Sequence, residues 1–76
     1  MAVNRERSLK RFGRSLAQLR LESGLTQEVL AEKAGLHPTY IGGLERGVRN
    51  PTLLTLLALS KGLNCHLSYL IKKAAD

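Results

Sequence analysis

The feature that most constrains this chain is the stretch of residues 25–50, LTQEVLAEKAGLHPTYIGGLERGVRN, in which residues that start helices and residues that end them follow one another closely. Thr26 can cap a helix, because its hydroxyl can accept a hydrogen bond from a backbone N–H in the first turn. Gly35 suits the left-handed residue with which many helices end. A first short helix is therefore expected at residues 26–34.

A second short helix is expected after a tight turn. Pro38 suits the first helical position, where its missing N–H costs little, and Gly47 suits the end of the helix. These signals predict a helix at residues 37–46. Two short helices at a sharp angle form a helix-turn-helix, whose second helix, the recognition helix, enters the major groove of DNA.

Apolar periodicity predicts three further helices. One should run over residues 8–22, with its apolar residues on one stripe. Another should begin near residue 51 or 52 and continue to about residue 61, where Gly62 ends it. The last should span residues 67–74. The sequence therefore predicts an all-α chain of five helices.

The central stretch resembles the Cro/C1-repressor, or Xre-like, family of DNA-binding domains. The resemblance rests on Thr26-Gln27-Glu28, Leu30-Ala31, Ala34-Gly35-Leu36, Tyr40-Ile41, Leu44-Glu45-Arg46-Gly47 and Arg49-Asn50-Pro51-Thr52. It extends over residues 12–70 and implies a compact five-helix, lambda-repressor-like domain at residues 8–76. Residues 1–7, which are polar and lack periodicity, are expected to form a flexible basic arm. The resemblance further implies a transcriptional regulator that binds a palindromic, inverted-repeat operator in double-stranded DNA as a homodimer.

The charge of the chain favours a polyanionic partner. The net charge is +6 and the sequence pI is about 10.1. Arg7, Arg11 and Arg14 fall opposite the apolar stripe of the first helix, where they are either its solvated side or, for one or two of them, contacts to DNA phosphates. Arg46 and Arg49 form a second basic group after the recognition helix.

Signals of membrane insertion, secretion and catalysis are missing from the sequence. No apolar run approaches the ~18–20 residues that span a bilayer, and the N-terminus lacks the apolar segment of a signal peptide, so a cytoplasmic protein is expected. His37, Cys65 and His66 supply too few ligands for a metal site and no catalytic constellation. We expect no enzymatic activity, cofactor or metal, and no small-molecule effector.

An ion pair within the domain is implied by the resemblance. In the resembled family an arginine matching Arg20 pairs with the glutamate matching Glu45. Such a pair would tie the first helix to the recognition helix and fix its angle. The alternative is two unrelated surface charges, each of little energetic value.

The expected DNA contacts come from the start of the first motif helix, the outward side of the recognition helix and the turn after it. The glutamine at the start suits a phosphate contact, because freed backbone N–H groups lie beside it. The arginines suit phosphates or base edges. The complete set is Gln27, His37, Thr39, Tyr40, Gly43, Arg46, Arg49 and Asn50.

The recognition helix itself is short of base-reading side chains. Pro38, Gly42 and Gly43 stand at outward positions, and each glycine inside a helix costs about 1 kcal/mol relative to alanine. The glycines could allow close backbone approach to DNA or make room for Tyr40 or an arginine. They could equally serve tight helix packing or mark lost contacts.

The string HPTYIGGLERGVRN looks like that of the controller proteins of restriction–modification systems. In those proteins Thr, Tyr and Arg at the matching positions take part in operator recognition, which carries over to Thr39, Tyr40 and Arg49. An antitoxin or an adaptor-type protein-interaction module on the same fold is the alternative.

The last two predicted helices carry more apolar residues than one core-facing stripe needs. This excess suggests a subunit interface, unless the fourth helix is central and buried on all sides. An antitoxin would use the same surface for its toxin. The expected dimer interface comprises Leu54, Leu57, Leu67, Tyr69 and Leu70.

Overall fold

The computed structural model describes residues 2–75, without the side chains of residues 73 and 75. The described chain folds into five helices and contains no strand. They are α1 (Arg5–Glu22), α2 (Gln27–Ala34), α3 (Pro38–Glu45), α4 (Leu53–Gly62) and α5 (Leu67–Ala75). The predicted fold class is therefore confirmed.

Polar side chains cap the starts of α1 to α4. Thr26 accepts from the N–H of Val29 at 3.1 Å, as predicted, and Pro38 occupies the first turn of α3. Asn4 accepts from the N–H of Arg7 at 2.8 Å, so α1 begins at Arg5. The sequence predicts a start near residue 8, so the first turn of α1 lies within the predicted arm. The Asn4 side chain explains the difference, because it satisfies an N–H that a helix start leaves without a partner.

The first four helices also end in one way, on a residue with positive φ. These residues are Gly24, Gly35, Gly47 and Asn64, with φ of 73°, 67°, 77° and 54°. After each of them the next N–H bonds back to a carbonyl in the last turn, as between Leu36 N and Ala31 O at 2.8 Å. This is the Schellman arrangement, which satisfies carbonyls that a helix end leaves free.

α4 ends at the predicted place, but the left-handed residue that closes it is not Gly62. Gly62 is the last residue of the helix, and Asn64 takes the left-handed position beyond it. A Cβ on Gly62 would lie 3.0 Å from Leu30 Cδ1 and 3.4 Å from Ala34 Cβ. The glycine therefore allows α4 to approach α2 closely.

The core is built from the inner faces of all five helices. α5 and α3 pack on α1, and α2 packs on α3 and α4. The core residues are Phe12, Leu16, Leu30, Ala31, Ile41, Leu44, Leu59, Leu63 and Leu70. No helix within residues 2–75 is long and apolar enough to cross a bilayer.

Gly13 is a packing residue that the apolar pattern did not reveal. A Cβ at this position would lie 2.5 Å from Leu44 O and 2.8 Å from the carbonyl carbon of Glu45. α1 therefore crosses the end of α3 with backbone against backbone. This contact fixes the position of the end of α3, the recognition helix, against α1.

We expect Gly13→Ala to lower the free energy of unfolding by about 2 kcal/mol, because the added methyl group must push apart two backbones. The loss should occur even though alanine is the better helix former by about 1 kcal/mol. Urea denaturation of the variant and of Arg14→Ala, an exposed change in the next position, provides the measurement and its control. Unchanged stability of Gly13→Ala would show that α1 and α3 are not in backbone contact.

Candidate nucleic-acid interface

The ion pair between Arg20 and Glu45 is present and lies where α1, α2 and α3 meet. Arg20 Nε donates to Glu45 Oε2 at 2.6 Å and Nη2 donates to Oε1 at 3.1 Å. The two side chains are only 12% and 8% exposed. Arg20 Nη1 also donates to Leu25 O at 2.9 Å, which ties the pair to the turn before α2.

Gln27 completes this network. Its Nε2 donates to Glu45 Oε1 at 2.9 Å. The hydrogen bond from Arg20 to Glu45, helped by their charges, raises the pKa of Arg20 against the opposing effect of burial. The side-chain amide of Gln27 thus points toward the ion pair, and the backbone N–H groups at the start of α2 are what this end offers to a phosphate.

His37 and Tyr40 make contacts within the protein. His37 Nδ1 accepts from the N–H of Thr39 at 3.2 Å, so the imidazole caps α3. Tyr40 was expected to point outward, but it is half-buried and packs against the core. Its hydroxyl lies 3.3 Å from Thr55 Oγ1, which in turn lies 3.0 Å from Thr52 Oγ1. The ring turns inward because it finds apolar contact and a hydrogen-bond partner there.

The outward side of α3 therefore carries even fewer exposed side chains than its sequence suggests. Thr39 is exposed, whereas Gly42 and Gly43 are buried rather than outward as expected. The atoms nearest to their missing side chains belong to Arg46 and Arg49. Of the alternatives left open by the sequence, room for an arginine is the one that this geometry matches.

The turn after α3, residues 46–50, is called the exit turn. It carries Arg46 and Arg49, whose side chains are exposed together with Asn50. Neither guanidinium makes a hydrogen bond or ion pair with another described residue. A Cβ on Gly47 would lie 2.9 Å from Lys10 Cα. The turn therefore rests directly on α1 and adjoins its basic side.

The basic side of α1 forms a continuation of this turn. Arg7, Lys10 and Arg14 border a shallow depression of about 320 Å³ together with Asn4 and Glu6. Its position beside the exit turn permits a phosphate contact, and its exposure is equally that of a solvated helix face.

Cys65 and His66 line a different shallow pocket of about 290 Å³ with Ser60, Lys61 and Asn64. Burial raises the pKa of the Cys65 thiol, which disfavours a reactive thiolate. No three His, Cys, Asp or Glu side chains in the described part of the chain are grouped to hold a metal ion.

The apolar surface of α4 and α5 agrees only in part with the expected interface. Leu54 is 76% exposed, Leu57 43% and Tyr69 45%, whereas Leu67 is half-buried against the core. Leu70 is wholly buried, so its assignment to an interface is wrong. It faces inward because α5 packs along α1. Two further exposed residues, Leu53 and Ile71, were not predicted.

We expect Arg20→Ala to lower the free energy of unfolding by about 3 kcal/mol, because Glu45 would keep its charge in a nearly buried position. Arg14→Ala on the exposed side of α1 is the matched control and should change stability by less than about 0.5 kcal/mol. Thermal and urea unfolding measure both. Equal melting curves for the two variants would refute the stabilising role of the pair.

Comparison with known proteins identifies relatives of this chain. The control protein C.SmaI of Serratia marcescens is 51% identical over 51 residues, which cover 67% of this chain and 61% of that protein. An HTH-type transcriptional regulator of Sinorhizobium fredii, y4dJ, is 46% identical over 54 residues, or 71% of this chain and 70% of its own length. The chain thus spans somewhat under two thirds of C.SmaI.

Solved structures of controller proteins are also similar to this chain. The restriction-modification controller protein C.AhdI from Aeromonas hydrophila superposes with a TM-score of 0.80 at 44% identity, covering 82% of this chain and 94% of that one. The controller protein C.Esp1396I superposes with a TM-score of 0.81 at 37% identity, covering 90% and 88%. A helix-turn-helix family model matches residues 16–70. The chain therefore belongs to the Xre/Cro-C1-type helix-turn-helix family of DNA-binding transcriptional regulators.

Proposed function

We propose that this chain is a homodimeric regulator that binds an inverted-repeat operator beside its own operon, in the manner of a restriction–modification controller. The observation that carries the proposal is the pair of exposed, unpaired arginines, Arg46 and Arg49, in the turn that follows the recognition helix. The likeness to C.SmaI and C.AhdI supports the controller subfamily. These relatives come from bacteria, where the DNA lies in the cytoplasm, and we propose the same location for this chain.

The roles of the individual residues follow from their contacts. Thr39 is the exposed side chain of α3, and its methyl and hydroxyl groups suit a thymine methyl or a base edge. Arg46, Arg49 and Asn50 present donors from the exit turn, where guanidinium groups suit guanine or a narrow minor groove. Gln27 contributes through the start of α2. His37 caps the helix from which Thr39 projects.

Tyr40 acts indirectly in this proposal. Its hydroxyl contacts Thr55 and so holds α3, which precedes the exit turn, against α4, which follows it. The turn that carries the arginines therefore has both of its ends fixed. The proposal involves no catalytic step, cofactor or metal.

Dimerisation supplies the symmetry that an inverted repeat requires. Helix-turn-helix dimers read two half-sites centred about one helical turn apart, roughly 34 Å or a multiple. The exposed residues Leu53, Leu54 and Leu57 lie on one side of α4 by helical spacing, and Tyr69 and Ile71 lie on the neighbouring α5. We propose that this surface, the α4–α5 apolar face, is where two chains meet.

Selection of binding sequences from a random duplex library should recover an inverted repeat. The wild-type chain should bind it with a log–log salt slope of about −5, which corresponds to about six phosphates contacted by a dimer. Footprinting on the DNA upstream of the gene should protect the same dyad. Recovery of no common sequence, or affinity that does not depend on salt, would refute the proposal.

Arg49→Ala should weaken binding to the selected duplex by at least about tenfold, since one well-placed arginine contact is worth about 1–3 kcal/mol. Arg7→Ala is the matched control, because it removes the same charge from the first turn of α1. Fluorescence anisotropy compares the two. Equal losses would show that the exit turn has no special role and that only net charge matters.

Leu54→Glu should raise the dimer dissociation constant by at least about tenfold, because a carboxylate would be buried without a partner at the α4–α5 apolar face. Leu21→Glu is the control, since Leu21 is 65% exposed on α1. Sedimentation equilibrium measures both variants. If the wild type is a monomer at high micromolar concentration, the apolar face serves a different protein, as the antitoxin or adaptor alternative requires.

A further inference from the structure

Two adjacent glycines on α3 are covered by arginine side chains from the exit turn. A Cβ built on Gly43 would lie 2.7 Å from Arg49 Cγ and 3.7 Å from its Nε. A Cβ built on Gly42 would lie 3.1 Å from Arg46 Nη1. Both glycines are buried, although the arginines that cover them are exposed. The space that two side chains would fill is thus occupied by two others.

The backbone of the turn brings the arginines to this place. Gly47, at φ 77°, reverses the chain, and the N–H of Val48 bonds back to Gly43 O at 3.0 Å. Val48 Cγ2 would lie 3.7 Å from a Cβ on Gly43. The residues after Gly47 therefore run back along α3, and the Arg49 side chain starts beside the helix rather than beyond its end.

No polar contact in the described part of the chain holds the two guanidinium groups. Their position depends on shape, since the aliphatic stem of Arg49 lies on a strip of helix that has no side chains. An arginine stem packs readily on such a surface and leaves its charged head in water. A methyl group on Gly43 would displace the middle of that stem, and the guanidinium beyond it would move farther.

We propose that Gly42 and Gly43 are positioning residues for DNA recognition, which leave a bare strip on α3 where Arg46 and Arg49 lie and present their guanidinium groups to the bases. This inference rests on the proposed function. Beside Thr39, the exit turn then supplies the base-reading groups, and α3 supports them. Preorganised side chains lose less freedom on binding, so the strip contributes to affinity without touching DNA.

The inference separates stability from recognition. Alanine is a better helix former than glycine. The atom that a methyl group on Gly42 would displace is the end of the Arg46 side chain, whereas on Gly43 it is Arg49 Cγ, close to the backbone. Gly42→Ala should therefore melt at the same temperature as the wild type or higher. It should nevertheless lose operator affinity. A residue that served only the fold would lose both together.

The test uses the full chain and the duplex selected by the wild type. Gly43→Ala should lower affinity for that duplex by about tenfold, the size of one displaced arginine contact. In a chain that already carries Arg49→Ala, the same change should alter affinity by less than about twofold, because no guanidinium is left to displace. Gly42→Ala and Arg46→Ala form a second cycle of the same design. Affinity for a random duplex should fall less than affinity for the selected one.

Arg7→Ala combined with Gly43→Ala is the control pair, in which the two losses should multiply. Wild-type affinity in Gly43→Ala, or an equal loss with and without Arg49, overturns the inference and leaves the proposed function intact. A wild-type chain that selects no sequence overturns both. If Gly43→Ala melts at a lower temperature, the Gly42 cycle decides, since the atom displaced there is the end of a flexible side chain. A loss that Arg46→Ala abolishes then supports the inference, and no loss overturns it.

Discussion

The ion pair between Arg20 and Glu45 is the interaction on which the rest of the structure depends. It joins α1 to the last residue of the recognition helix, and Gln27 and Leu25 O bind the same cluster from the start of the motif. A nearly buried charge tolerates few arrangements, because each carboxylate oxygen must keep its donors. One charged cluster thus holds α1, α2 and α3 together at the point where they meet.

Much of the fold could be predicted from the sequence because its signals are local. Thr26, Gly35, Pro38 and Gly47 each act within one helical turn, and all four do in the structure what their chemistry indicates. The start of α1 was placed too late because an Asn four residues from the chain start looks like part of a polar arm. Capping strength, not polarity, decides where that helix begins.

The site was harder to predict, since its features depend on contacts between distant residues. Nothing in the sequence marks Gly13 or Gly62 as a packing residue. Both allow a close approach between two helices, which only the tertiary structure reveals. Tyr40 has the spacing of an outward residue and turns inward toward Thr55. Leu70 belongs to the same apolar run as the exposed Ile71 but faces α1. The spacing of apolar residues indicates that a helix has an apolar side. Which of those residues are buried depends on where the neighbouring helix packs.

The repeated Schellman ending of the first four helices has a consequence for timing. Each connection closes on its own hydrogen bonds, so most of the architecture is specified by contacts between near neighbours in the chain. Helical domains with such local contacts fold in about microseconds to milliseconds. In the proposed role of a dimeric regulator of its own operon, folding would then be fast compared with protein synthesis. The delay before control sets in would be governed by how fast chains accumulate and pair.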